Sequence, residues 1–556
     1  MGKGLKVLLA AVAVALTVTA VTLAATTRTG ATSDTLVFGT ASEPTSLDGA
    51  VVSDGESLRV IDQITEGLVG LKNGTTVIVP KLATSWRASN GGKVWSFKLR
   101  KGVRFQDGTP FNAKAVCANF NRWYNFTGAF ASDSTSYYYY TVFGGYKKPA
   151  KGLTNTPLYR SCKAVGDSTA VITLRRPNSA FLGALSLTAF GMQSPAAMAK
   201  YGANKGTLSK DGVFTPGGQY GVPGGFAVGT GPFKLESWKI GDKLVIVRND
   251  SYWGKKAILR RVIFRAIPDN AARLQALQTG EIQGYDLVEP QDIPTVQKDS
   301  KLKVLDRPAF NVAYVTINQA VKPFDNPLVR QAVAYGLDRA GVVKSFYAGR
   351  GTVADEFMPP QVVGYSKSVP KYTYNPEKAK QLLQQAGLTL PVKLDFWYPT
   401  DVSRPYMPDP QRNFQAFKAS LEKSGFKIVA HSAPWRPDYV AKVNSGDAGN
   451  LNLIGWTGDY GDPDDFLGVF FQKSNPQFGF SNAKLTALLD RAEQETSLKT
   501  RTKLYQQANE MIMRDILPGV PYAHSLPALG FQKSVSGYIA SPIGTDPFGP
   551  VNVGGQ

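Results

Sequence analysis

The chain has 556 residues, of which 43% are hydrophobic, 11% aromatic and 19% charged, and a formal net charge of +21. That length exceeds one ordinary core and calls for two or three domains, while the composition excludes a disordered or fibrous chain. The Lys and Arg residues are spread along the sequence rather than gathered in one arm. This favours a solvated basic surface, weakly drawn to anionic envelope polymers or lipid headgroups, over nucleic-acid recognition.

Lys3 and Lys6 precede an apolar run over 7–25, and small residues follow as far as Ala31. Residues 1–33 therefore read as a cleaved export signal rather than a retained anchor, with Thr17, Thr19 and Thr22 weakening a membrane span. No cysteine follows the run, so a lipoprotein anchor is not expected, and the body of the protein is expected to be soluble and extracytoplasmic. The only two cysteines are Cys117 and Cys162. In an exported chain they are the smallest disulfide framework, worth about 4 kcal/mol in the chain-entropy account. The alternative is two separate buried thiols. A redox centre is not expected without Cys-x-x-Cys spacing.

A short strand is predicted over 36–40, a helix over 60–68, and an alternating strand over 94–100. A helix follows over 111–123, with Asn112 as a cap. The run Tyr137, Tyr138, Tyr139, Tyr140 reads as a strand of buried and half-buried tyrosines, or else as a stacking surface. Residues 202–232 are rich in Gly and Pro and suit a domain crossing. Within them, Gly229-Thr230-Gly231-Pro232-Phe233-Lys234 fails as a phosphate loop because no Gly-Lys-Ser/Thr closes it. Strands are predicted over 233–238, 244–248 and 261–266, and a helix over 270–279. The second half repeats the mixture, with strands over 313–318, 392–397 and 451–454. Its helices are predicted over 327–338, 376–386, 412–424 and 485–513. Strands and helices mixed throughout mean an α/β or α+β fold.

The stretch 455–466 places four carboxylates and three glycines beside Trp456 in this basic chain. Capping explains most of the acidity: Asp462 as N-cap, Pro463 at the first helical position, and Asp465 reaching back. Asp459 is left over. It lies between Gly458 and Tyr460, where backbone can approach a ligand closely, and a carboxylate against an aromatic wall suits a ligand ammonium group. The competing reading is a turn aspartate that satisfies its own loop. The spacing does not match a calcium loop. His431 and His524 are the only histidines, and neither has a metal-ligand neighbour at a suitable spacing. No nucleophile elbow or zinc-protease motif occurs. No catalytic residue, metal site or cofactor is expected, which leaves a binding protein.

Several segments together resemble the family 5 extracellular solute-binding proteins, the peptide/nickel receptors of ABC importers. They include Glu66-Gly67-Leu68-Val69, the stretch from Val79 to Trp86, and the stretch from Trp95 to Phe105. Further along come Gly229-Thr230-Gly231-Pro232-Phe233-Lys234, Asn249-Asp250-Ser251-Tyr252-Trp253, the stretch from Pro323 to Ala332, and Asn375-Pro376-Glu377-Lys378-Ala379. The likeness runs over nearly all of 34–540. Within the family, Arg404-Pro405-Tyr406 and Trp456-Thr457-Gly458-Asp459 are most similar to the dipeptide-binding subgroup. The chain departs from that subgroup at Met407, where an asparagine is usual, and in an insert around 130–159.

The resemblance implies a bilobed, three-domain receptor of the periplasmic-binding-protein type, with the ligand in the interlobe cleft. One lobe would combine 34–72, 226–303 and 521–556 with an extra domain at 73–225, and the other would span 304–520. It further implies that Arg404 clamps a ligand carboxylate, that Asp459 binds the α-ammonium, and that Trp456, Tyr406 and Gly458 line the site. The implied ligand is a short peptide, the implied partner an ABC permease, and the implied state a monomer. Longer peptides, a metal chelate or an oligosaccharide remain alternative ligands of the same receptor class. An envelope interaction or chaperone-like role is the more distant alternative.

Overall fold

Period-two patterns build three principal sheets in the computed structural model, which describes residues 34–209 and 213–554. The expected export signal lies outside the described residues. In the strand Val94–Leu99, Phe97 and Leu99 turn inward and Lys98 outward. That strand sits in a four-stranded antiparallel sheet between Ala83–Ser89 and Thr169–Leu174, and Tyr159–Val165 completes the sheet. The helix Ala113–Tyr124 packs against it. As predicted, Asn112 starts the helix by accepting the Ala115 N–H. Cys117 on this helix is bonded to Cys162 on the edge strand, with the two Cα atoms 5.2 Å apart, so the disulfide staples helix to sheet.

A seven-stranded mixed sheet shares its core with this four-stranded one. Its order is Phe233–Lys239, Lys243–Arg248, Arg261–Ala266, Thr35–Thr40, Gly284–Val288, Ala528–Gln532 and Leu302–Asp306. The N-terminal strand Thr35–Thr40 runs parallel to both its neighbours, and the remaining pairs are antiparallel. A separate core covers a six-stranded sheet ordered Gly351–Thr352, Gly519–Ser525, Asn311–Ile317, Leu451–Thr457, Val392–Thr400 and Phe426–Pro434. The chain is thus a mixed α/β molecule with two bodies, one carrying the seven- and four-stranded sheets and the other the six-stranded sheet.

Two elements differ from the sequence reading. The tyrosine run is a helix, Tyr137–Phe143, and not a strand. Tyr138, Tyr139 and Phe143 are its buried positions, and Tyr139 stacks on Phe143 one turn later at 4.8 Å between centroids. Gly144, at φ +66°, closes the helix through its N–H to the Tyr140 carbonyl. Packing of four large rings overrides their strand propensity here. The long helix predicted over 485–513 is two helices, Ala483–Gln494 and Leu498–Met511. The second starts afresh at Ser497, whose hydroxyl accepts the Thr500 N–H.

The backbone passes between the bodies twice. It leaves the seven-stranded sheet after Asp306, and it returns after Ser525. The two crossings lie side by side, joined by the Arg307 N–H donating to the Pro527 carbonyl at 2.9 Å. Arg307 then turns its guanidinium into the first body. It reaches Asp546 at 2.6 and 2.8 Å and Asp286 at 2.6 Å. Arg59 reaches the same two carboxylates at 3.1 and 2.9 Å. Asp546 also accepts the Tyr538 hydroxyl and the Ser541 N–H. Burial alone would raise the Asp286 carboxyl, but the Arg307 and Arg59 guanidiniums outweigh it and hold that group below its ordinary range. Removing one partner from such a buried set leaves uncompensated charge. Asp546→Asn should therefore lower stability by about 3 kcal/mol or more. Urea unfolding measures this, and a midpoint equal to that of the unaltered chain would rule the effect out.

Candidate functional site

The segment singled out in the sequence begins inside the strand Leu451–Thr457, at the centre of the six-stranded sheet. The strand ends at a reversal toward the first body. Asp462 caps the following 3-10 turn, Pro463–Asp465, by accepting the Asp464 N–H at 3.0 Å, as the sequence predicts. Asp465 does reach back, but further than a capping box: it accepts the N–H of Asp459 at 2.7 Å and that of Tyr460 at 3.3 Å. Asp465 thus satisfies the loop backbone, and the Asp459 side chain is free of that task.

The Asp459 carboxyl instead meets the first body, where it accepts the Tyr138 hydroxyl at 3.1 Å. Tyr137, half-buried beside it, completes an aromatic wall supplied by the tyrosine helix. Burial pushes the Asp459 carboxyl up to about 7, and the Tyr138 hydrogen bond offsets part of that rise. Asp465 is pushed well above the usual carboxylate range, first by burial and then by the neighbouring Asp459 charge. No cation pairs with Asp459 among the described residues.

Arg404 lies in a tight reversal, with reciprocal backbone bonds to Met407 at 3.1 and 3.0 Å. Its guanidinium carbon sits 4.9 Å from the Trp435 ring centre. It is half-buried, its Nε has no partner, and no carboxylate pairs with it among the described residues. Tyr406 is 3% exposed and its ring fills the space beside Gly455, where any Cβ would collide with it. Burial raises the Tyr406 phenol, and the Arg404 charge beside it partly counters this. The Arg404 reversal is therefore docked on the strand that carries Trp456. Trp456 is half-buried, edge-on to Phe470 at 5.3 Å.

Gly458 has a different reason to be glycine from the one read in the sequence. A Cβ there would run into the Phe310 and Phe466 rings, at 2.2 and 2.6 Å, so packing from beneath demands the glycine. The structure brings Tyr406 and Gly455 together, and it sets Asp459 against the first body. Sequence reading misses Tyr138 and Trp435. A signal for Tyr138 exists in retrospect: Gly144 after a run spaced for helix marks a C-cap and a helix face. Trp435 has none, since its partner Arg404 lies in an irregular loop.

Neither histidine adds to the site. His431 stacks on Trp397 and bonds Asp395 at 2.8 Å, and buried His524 bonds the Asn311 carbonyl through Nδ1. Among the described residues, no group of three or more His, Cys, Asp or Glu side chains is arranged to hold a metal ion. None of the described helices is long and apolar enough to cross a membrane.

Residues 77–478 match the family described as bacterial extracellular solute-binding proteins, family 5 Middle. Heme-binding protein A of Haemophilus influenzae is 32% identical over 537 residues, covering 94% of this chain and 93% of that protein. The dipeptide-binding protein of Escherichia coli is 32% identical over 497 residues, covering 87% and 88%. Among solved structures, the ABC transporter-associated periplasmic binding protein DppA from Helicobacter pylori, in complex with the peptide STSA, superimposes with a TM-score of 0.77 at 28% identity. It covers 94% of this chain and 98% of that one. By sequence and by fold, the chain belongs to the family 5 bacterial extracellular solute-binding proteins.

Proposed function

We propose that this chain is an exported, monomeric, non-catalytic receptor that captures short peptides, dipeptides foremost, by their charged ends and delivers them to an ABC permease. The observation that carries the reading is a pair of unpaired opposite charges. Arg404 is half-buried without a carboxylate, in the reversal whose Tyr406 ring packs on Gly455, and half-buried Asp459, four residues further along that strand and loop, has no cation among the described residues. A zwitterion complements both. Arg presents a planar fork that grips a carboxylate in two places. A two-residue extended peptide spans roughly 7 Å, so charges fixed at both ends select for length. Trp456 and Tyr406 would then line the side-chain space. Kinship to dipeptide-binding proteins supports the same reading.

A metal chelate is the second reading, favoured by the 32% identity to Heme-binding protein A. Titration with hemin, followed by absorbance, tests it directly.

Calorimetry with alanyl dipeptides carrying free or N-acetylated ends tests the peptide reading. Truncating one partner of a buried charge pair typically costs 2–5 kcal/mol, so Arg404→Ala and Asp459→Asn should each weaken dipeptide binding by about thirtyfold or more. Acetylation should weaken binding to the unaltered chain by a similar factor and leave Asp459→Asn little changed. Equal affinity for both peptides in the unaltered chain would refute the ammonium role of Asp459.

A pH profile gives a second check. An ammonium ligand needs Asp459 ionised, and burial holds this group near 7, so below that pH the ligand must displace a proton. Affinity should fall as pH drops below about 7, approaching tenfold per pH unit. It should also fall above about pH 8, where the peptide amine loses its own proton. In Asp459→Asn the acid limb should disappear, and its persistence would assign the titration to another group.

A further inference from the structure

The two bodies meet at a second place, remote in sequence from Arg404 and Asp459. The helix Ala483–Gln494 belongs to the second body, anchored by buried Leu485, Leu489 and Ala492. Its C-terminus has no left-handed cap: Glu495 is extended at φ −76° and ψ 126°, and its N–H makes only a long bond of 3.4 Å to the Ala492 carbonyl. The last carbonyls of a helix need donors from elsewhere. Here they come from the first body. Ser179 donates its N–H to the Glu493 carbonyl at 2.7 Å and its hydroxyl to the same oxygen at 2.8 Å. Next to it, Asn178 donates to the Glu493 carboxylate at 2.6 Å. Asn178 and Ser179 lie between the strand Thr169–Leu174 and the short helix Phe181–Ala184, within the first body.

Glu493 and Asn178 are each 6% exposed in this arrangement. Gln472 of the second body holds the other carboxylate oxygen at 3.0 Å, so the side chain is oriented whether or not Asn178 is near. Arg176 adds a contact of 3.6 Å from a guanidinium that is 37% exposed, which contributes little. Three short hydrogen bonds, one of them to a charged group, therefore converge on a single residue across the interface.

We propose that Asn178 and Ser179 form a clasp that caps the helix Ala483–Gln494 in trans, and that this clasp holds the two bodies shut whatever lies between them. When the bodies separate, the Glu493 carbonyl and carboxylate turn back to water and the helix end loses its cap. The clasp contacts neither Arg404 nor Asp459, so it sets how long a ligand stays enclosed rather than which ligand is chosen. Its consequence for ligand release rests on the receptor reading above, and its geometry does not.

The test uses the full chain with Asn178→Ala and Asn178→Asp, where the second sets a like charge against Glu493. Small-angle scattering of the protein without added ligand should give a radius of gyration that rises from the unaltered chain to Asn178→Ala and again to Asn178→Asp. Profiles that superimpose would overturn the clasp. Urea midpoints measured alongside show that each variant remains folded, and Ser179→Ala supplies an independent third variant from the same contact. Stopped-flow release of Ala-Ala and Ala-Phe should be faster in Asn178→Ala by about tenfold, and by the same factor for both peptides. An unchanged rate, or a change for one peptide alone, would also overturn the proposal. If neither peptide binds the unaltered chain, the receptor reading fails, and the scattering comparison still decides the clasp.

Discussion

A knot of buried charge fixes the point where this molecule turns from one body into the other. Arg307 is the first residue past the seven-stranded sheet, and its guanidinium is anchored by Asp546 and Asp286. Each of those carboxylates is also shared with Arg59. Neither sign could be buried alone, because the desolvation cost of an unpaired ion exceeds any single hydrogen bond. Together they close a network whose members come from an early helix, a central strand, the crossing and the C-terminal segment. The contributors span almost the whole described chain. The fold of the first body and the position of the crossing at Arg307 are therefore one structural fact.

Beyond that point the design reverses. Where the crossing is saturated with charge partners, Asp459, in the loop after Trp456, has no cation, and Arg404, in its own reversal, has no carboxylate among the described residues. Asp465 makes this possible by accepting the backbone donors of Asp459 and Tyr460, which a lone turn aspartate would otherwise have to satisfy itself. One carboxyl holds the loop and the other is available. The helix of tyrosines completes the arrangement from the opposite body, so the surroundings of Asp459 exist as drawn only while the bodies are in contact.

Local chemistry was legible in the sequence wherever it was local in cause. Asn112 and Asp462 cap as their neighbours demand, and the helix Asn270–Thr279 begins and ends where polar and glycine signals set it. The tyrosine helix departs from the strand expected there because aromatic residues favour strands until packing assigns them otherwise, and its packing comes from rings brought in by tertiary contact. The break at Ser497 is hidden in the sequence because amphipathic spacing continues on both sides of it. The bond between Tyr138 and Asp459 spans 321 positions, and nothing in either neighbourhood records it. Family likeness singles out Arg404 and Asp459 as candidates, whereas their neighbours Trp435 and Tyr138 are brought beside them only by tertiary packing.

Phe310 gives the crossing a second meaning. It stands three residues past Arg307, accepts the Gly458 N–H at 2.8 Å, and lays its ring in the space that Gly458 leaves open, edge-on to Phe466 at 5.3 Å. The floor under the loop that carries Asp459 is thus part of the strap that joins the bodies. In mechanical terms, the lever and the jaw share one component. A substitution that changes the Phe310 ring would therefore disturb the Asp459 loop and the crossing at once, because both rest on the same side chain.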